Sequence, residues 1–99
     1  MNSVSSIALS GLGAASLRLD AAANNIANGL TPGYRAQSVI QSADAGGGVS
    51  ASVVQDAEPG TDLAKDLVDQ MVATYSFAAN LRVILTERAM TGTLLDTQA

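Results

Sequence analysis

Asp62, Asp66 and Asp69 fall at helical spacing on one face, with Asp56 and Glu58 just ahead of them. No other group of side chains in the chain is so suited to holding a cation. A hard cation needs oxygen ligands converging from several directions, as an EF-hand supplies from alternate positions around a glycine turn. Neither that spacing nor a glycine within the cluster is present. The carboxylates therefore read as complements to the positive end of a helix, on a wet face. Gly11-Leu12-Gly13-Ala14-Ala15-Ser16 has the outline of a dinucleotide loop, but that fingerprint needs a strand before it, and none precedes Gly11. Gly46-Gly47-Gly48 offers amides to an anion without a helix cap or lysine nearby, so a flexible hairpin turn is the stronger reading. Histidine and cysteine are both absent. The usual general base, the commonest metal ligand and any thiolate chemistry go with them. No catalytic site, metal or cofactor is expected, and the chain is not expected to be an enzyme.

Charge excludes two further classes. The net charge is −4, and the five basic residues, Arg18, Arg35, Lys65, Arg82 and Arg88, are scattered. No stripe exists to neutralise a phosphate backbone or an anionic membrane, so nucleic acid is not an expected partner, nor is a small-molecule substrate. No apolar run reaches the roughly 18 residues that span a bilayer. Met1 through Ser6 lacks the basic region of a secretory signal, so export without a cleavable signal peptide is expected.

The elements that must carry these residues are mostly helical. At 99 residues the chain is one domain, and its 47% apolar content is largely alanine, with one Phe, two Tyr and no Trp. Alanine forms helix well and lets helices approach closely, but buries little area, so the core is expected to be thin. Ala8, Leu12, Ala15, Leu19, Ala22 and Ile26 recur at alternating steps of four and three, a coiled-coil spacing. This predicts a helix from Ser3 to about Asn28, capped by Ser3 or Ser6 and weakened by Gly11 and Gly13. Asn28-Gly29 and Pro32 stop it. Thr31-Pro32-Gly33-Tyr34 reads as a type II turn that aims Tyr34 back at the helix end. Ser38–Gln41 and Val49–Val54, around the Ala43–Gly48 turn, read as a β-hairpin at one end of the molecule, closed by Glu58-Pro59-Gly60. A second helix follows from a cap at Thr61 or Asp62 to about Leu95, with Leu67, Met71, Thr74, Ala78, Leu81 and Leu85 as its seam. The segments are thus 1–34, 35–60 and 61–99 within one domain. The fold class is mainly α: an antiparallel pair of long terminal helices with a small central β-hairpin.

Both helices carry apolar residues off those seams. Leu17 points away from Leu19, and Val68, Val72, Tyr75 and Val83 form a second strip on the C-terminal helix. One partner helix cannot cover both strips, which predicts further partners, most simply copies of the same chain. Asn24, Asn25 and Asn28 are poor helix formers at a helix end. They read equally as groups that satisfy loose carbonyls around a left-handed exit and as hydrogen-bonding groups at a helix–helix or subunit contact.

Taken together these phrases resemble the flagellar rod and hook family of bacterial axial proteins. Its N-terminal signature is matched by Ala8-Leu9-Ser10-Gly11-Leu12, Leu19-Asp20, Ala23 through Asn28, and Thr31 through Tyr34. Its C-terminal signature is matched by Phe77-Ala78-Ala79-Asn80, Val83-Ile84 and Leu94-Leu95. The resemblance covers about the first 34 and last 38 residues. Ala79 stands where members usually have Glu or Gln, and Gly29-Leu30 replaces a more polar spacer. The middle is far shorter than the usual insertion, and Gly47-Gly48-Val49 with Val53 through Asp56 is similar to the short proximal-rod members.

The resemblance implies a structural subunit of the flagellar rod whose paired terminal helices pack against those of its neighbours. It implies partners among copies of itself and other axial proteins, passage unfolded through the flagellar type III export apparatus, and a place in the periplasmic rod of the basal body. The residues expected at the helix or subunit interface are Leu12, Leu19, Asn24, Asn25, Ile26, Asn28, Leu67, Met71, Phe77, Asn80, Leu81 and Leu85, with Pro32, Gly33 and Tyr34 as the turn. A competing reading is a small helical adaptor or export-associated protein that holds a partner's helix in a discrete complex.

Overall fold

The computed structural model describes residues 4–98, in the order α1 (Val4–Ala27), β1 (Gln37–Ala43), β2 (Val49–Gln55) and α2 (Leu63–Gln98). The expected class is what forms: two long helices with a small antiparallel sheet between them in sequence. Of the two expected caps for α1, Ser3 lies outside the described residues and Ser6 lies inside the helix. At about 1.5 Å per residue, α1 runs roughly 36 Å and α2 roughly 54 Å, and the molecule measures 63 × 25 × 14 Å.

The end of α1 is closed by successive local bonds. Asn28 N–H donates to the Asn24 carbonyl at 3.0 Å, Gly29 N–H to Ile26 at 3.3 Å and Thr31 N–H to Asn28 at 3.0 Å. No non-glycine residue among those described has positive φ, and Gly29 is not among the glycines that do. The left-handed exit expected at Asn28-Gly29 is therefore corrected: tight turns absorb the loose carbonyls without it. Next comes the expected type II turn. Tyr34 N–H reaches the Thr31 carbonyl at 3.2 Å, with Gly33 at φ 76° in the position that demands it.

In the hairpin, Gln37 pairs with Gln55 and Ala43 with Val49. Its turn closes through Asp44 N–H to the Gly48 carbonyl and Gly47 N–H to the Asp44 carbonyl, both 3.0 Å. Gly48 has φ 86°, and a Cβ there would stand 2.7 Å from Ser10 Oγ. The hairpin does not extend from one end of the molecule, as the sequence suggested. It lies along α1, held near the helix C-terminus by Asn25, which bonds Gln37, and near the N-terminus by Ser10, whose Oγ accepts Val49 N–H at 3.1 Å. Gly60 N–H bonds the Tyr34 carbonyl at 2.9 Å, tying the strand exit to its entry. Asp62 then caps α2 by accepting Lys65 N–H at 3.1 Å.

The helices run antiparallel. Asn25 meets Asp66, Gly11 meets Asn80, and Ser5 Oγ donates to Glu87. Going from Asn25 to Gly11 on α1 matches going from Asp66 to Asn80 on α2, and going on to Ser5 matches going on to Glu87. Past Glu87 the last turns of α2 therefore run beyond the start of α1. The buried apolar residues are Ala8, Ala14, Ala15, Ala21, Ala22, Ala36, Ala73 and Ile84, and no large side chain is fully buried among the described residues. Ala8, Ala15 and Ala22 share the α1 face that carries Gly11 toward α2, while Ala14 and Ala21 line up with Ser10 toward the hairpin.

The seam expected on α2 is corrected. Leu67, Met71, Leu81 and Leu85 are not buried by α1; Met71 is 71% and Leu85 57% exposed. The line that meets α1 is Asp66, Ala73, Asn80 and Glu87, at seven-residue steps, with Ile84 beside it. Small and polar side chains win this position because an alanine face and a glycine admit a neighbouring helix too closely for leucine. The large apolar residues are turned outward as a result.

Candidate assembly surface

Asn25 holds the fold together at the point where α1, β1 and α2 meet. It is 3% exposed. Its Nδ2 donates to the Gln37 carbonyl at 2.9 Å and to Asp66 Oδ1 at 3.0 Å. Its Oδ1 accepts Gln37 N–H at 2.8 Å and the Tyr34 hydroxyl at 3.1 Å. The carboxamide thus uses both donors and both acceptor positions, and it faces Gln37 as a neighbouring strand would. Tyr34 is aimed back at the helix end, as the turn predicted.

The neighbouring asparagines do less. Asn24 Nδ2 reaches Gln37 Oε1 at 3.3 Å, and Asn28 Nδ2 satisfies the Asn24 carbonyl at 2.9 Å while its Oδ1 accepts the Thr31 hydroxyl at 3.2 Å. Of the two readings of this cluster, carbonyl satisfaction describes Asn28, and an interhelical hydrogen bond within the chain describes Asn25. Asn80 lies over Gly11, where a Cβ would stand 2.6 Å from its Oδ1, and Asn80 Nδ2 donates to the Ser76 carbonyl at 2.8 Å.

The acidic cluster divides into three separate roles. Asp62 is the helix cap. Asp69 accepts a 2.8 Å bond from Lys65, which raises the exposed lysine's pKa above its ordinary value; the charges of Asp69, Asp66 and Asp56 add to this, and partial desolvation opposes it. Asp66 does not lie on a wet face, as the sequence suggested. It is 3% exposed, and its Oδ2 has no hydrogen-bond partner. The pull of Asn25 across the seam draws it inward. No group of three or more potential metal ligands occurs among the described residues.

Outside this clasp the chemistry is apolar. Leu12, Leu19 and Ile26 are half-buried at the edge of α1. Leu67, Val68, Met71, Tyr75, Leu81 and Leu85 are all exposed on α2, Tyr75 at 77%, and Phe77 is at the boundary. A groove of about 970 Å3 continues this surface along α2 past the start of α1, lined by Val4, Tyr75, Ala79, Val83, Met90 and Leu94, with Arg82 and Glu87 at its rim. No helix among the described residues is long and apolar enough to cross a membrane, so this surface is not a bilayer span. Scattered exposed leucines are ordinary, but a continuous strip on one helix marks an interaction site.

Ser10, Gly11 and Asp66 were missed as structural contacts. The available signal was the heptad of Asp66, Ala73, Asn80 and Glu87, invisible to a search for apolar residues.

These features define a class: an elongated helical pair clasped to a hairpin, with small and polar side chains at its internal seam and most large apolar side chains left outside. Residues 6–35 match the family model described as flagella basal body rod protein. A comparison with curated proteins returned no match.

Proposed function

We propose that this chain is a structural subunit of the flagellar rod that assembles through the outward face of α2. The observation that carries the proposal is the inverted seam. Alanine, asparagine and aspartate join the two helices of one chain, while Leu67, Val68, Met71, Tyr75 and Leu85 remain uncovered. The rod-family match over residues 6–35 supplies the context. The expected partners are copies of this chain and other axial proteins, and residues 1–34, 35–60 and 61–99 act as one unit in the contact. Leu12, Leu19 and Ile26, half-buried, Phe77 at the boundary and the exposed Leu81 form the margins of this surface. Delivery through the flagellar type III export apparatus to the periplasmic part of the rod is consistent with a core made of alanine, which holds an isolated chain together only weakly.

The test is association of the purified protein with Met71 and Tyr75 both changed to Asp. The parent is expected to form rods or oligomers that grow with concentration in sedimentation and electron microscopy. The double variant should keep its helical circular dichroism and stay monomeric. A parent that forms only a discrete complex with one foreign helical partner would favour the adaptor reading. A variant that assembles as well as the parent would remove α2 from the contact.

A further inference from the structure

The outer edge of β2 has no neighbouring strand in the two-stranded sheet. The phase of the ladder is set by two bonds just beyond its ends: Asp44 N–H to the Gly48 carbonyl, and Asp56 N–H to the Ala36 carbonyl. Both continue the register in which Gln37 faces Gln55. Residues 50, 52, 54 and 56 are then the ones whose backbone groups point at β1, and Val49, Ala51, Val53 and Gln55 turn theirs away. The outward amide of Val49 is taken by Ser10 Oγ. Among the described residues no partner meets the outward groups of Ala51, Val53 and Gln55. On the opposite edge, Gln37 is already occupied by the Asn25 carboxamide, and β1 borders a cleft with Arg18, Lys65 and Asp69.

We infer that β2 pairs antiparallel with β2 of a second copy about a two-fold axis at Val53. Ala51 then faces Gln55 of the partner, Val53 faces Val53, and Gln55 faces Ala51, so every free outward group is met. Val49, whose amide is spent on Ser10, falls opposite Ala57, beyond the end of the partner strand, and nothing is lost there. Charge selects a second copy as the occupant. The chain carries net −4 and repels itself, yet β1, β2 and residues 45–55 contain no charged side chain at all. This edge is where two acidic copies can meet without opposing charges. Beyond the cover that Ser10 gives Val49, the edge of β2 has no lysine or proline to protect it, and the strand is seven residues long. The contact rests on the assembly reading for its partner, but it is read out on different atoms.

The experiment is amide hydrogen exchange of the whole chain across a range of protein concentrations, on the parent and on Val53→Pro. Proline at 53 removes an outward amide and leaves the β1–β2 ladder intact, whereas Val54→Pro removes a ladder amide and serves as the disruptive control. Ala51, Val53 and Gln55 should become protected as concentration rises. Val53→Pro should abolish this and weaken edge pairing by about 10- to 30-fold, the equivalent of two net hydrogen bonds. If Val53→Pro does not fold, Val53→Lys keeps the amide, places two like charges at the axis and should also abolish the protection. Exchange at these three amides that is independent of concentration overturns the proposal, as does protection at Val39 and Gln41 instead, or protection that appears only with a foreign strand. Association that depends on Tyr75 but never protects the edge defeats this contact alone. A chain that is monomeric throughout defeats both.

Discussion

Changing Gly11 and Gly13 separately to alanine should move stability in opposite directions. Both glycines lie inside α1, two residues apart, and each costs the helix about 1 kcal/mol relative to alanine. At Gly13 a new Cβ meets nothing within 4 Å, so Gly13→Ala should stabilise by about that amount. At Gly11 the same atom would stand 2.6 Å from Asn80 Oδ1 and 2.8 Å from both Asn80 Cγ and Nδ2. The whole carboxamide must move, abandoning its bond to Ser76, or the helices must part. Overpacking of this kind costs about 1–3 kcal/mol, which cancels or exceeds the propensity gain. The two variants should therefore differ by about 2 kcal/mol, or roughly 8–16 °C in Tm for a domain of this size. The measurement is thermal and urea unfolding at one fixed protein concentration, because association raises apparent stability by mass action. Adding Asn80→Ala should remove the conflict, so that Gly11→Ala becomes stabilising in that background. If Gly11→Ala stabilises as much as Gly13→Ala in the parent, the helices do not approach each other at Asn80, and the register described for the seam is wrong.

Other perturbations separate the clasp from the surface. Asn25→Ala strands Gln37, Tyr34 and Asp66 at once and should cost about 2–4 kcal/mol in urea unfolding; a loss below 1 would mean water replaces it. Asp66→Asn removes a buried charge with an unbonded oxygen while keeping an acceptor for Asn25, and should be neutral or stabilising by about 1 kcal/mol; a large loss would show that the charge itself is needed. Lys65→Met should change stability by less than about 0.5 kcal/mol, because the pair with Asp69 is solvent-exposed. Since the folded lysine's pKa is raised, the contribution is complete below the unfolded lysine's pKa and disappears as pH climbs through the folded value. Alkaline titration of the parent against Lys65→Met reads that window, and a difference that grows as pH climbs through it would contradict the sign. Tyr75→Asp, fully outside the seam, should leave the unfolding midpoint of dilute protein unchanged while reducing its association.

Much of this fold could be read directly from residue types. The Thr31–Tyr34 turn, the glycine-closed hairpin and the Asp62 cap were legible because proline, glycine and aspartate act over three or four residues. Both helices were legible from period alone. The face by which they join was not. Leu67, Met71, Leu81 and Leu85 carry the stronger apolar signal, and a search for burial selects them, but α1 offers alanine and glycine, and only small side chains fit so close an approach. The apolar pattern on α2 marks a surface left open by its own chain. Asp66 was illegible for a related reason. A carboxylate in the first turn of a helix looks solvent-facing until a carboxamide from 41 residues away reaches it.

The fourfold bonding of Asn25 also orders events in time. Its bonds to Tyr34 and Gln37 close over 9 and 12 residues of chain, while its bond to Asp66 must wait for 41. Short loops close first because their entropic cost is smaller. Loop entropy therefore favours closing α1 onto the turn and hairpin ahead of closing it onto α2. The same carboxamide thus couples a short-range closure to a long-range one, so the register of α2 on α1 is set at a point that the turn and hairpin already define.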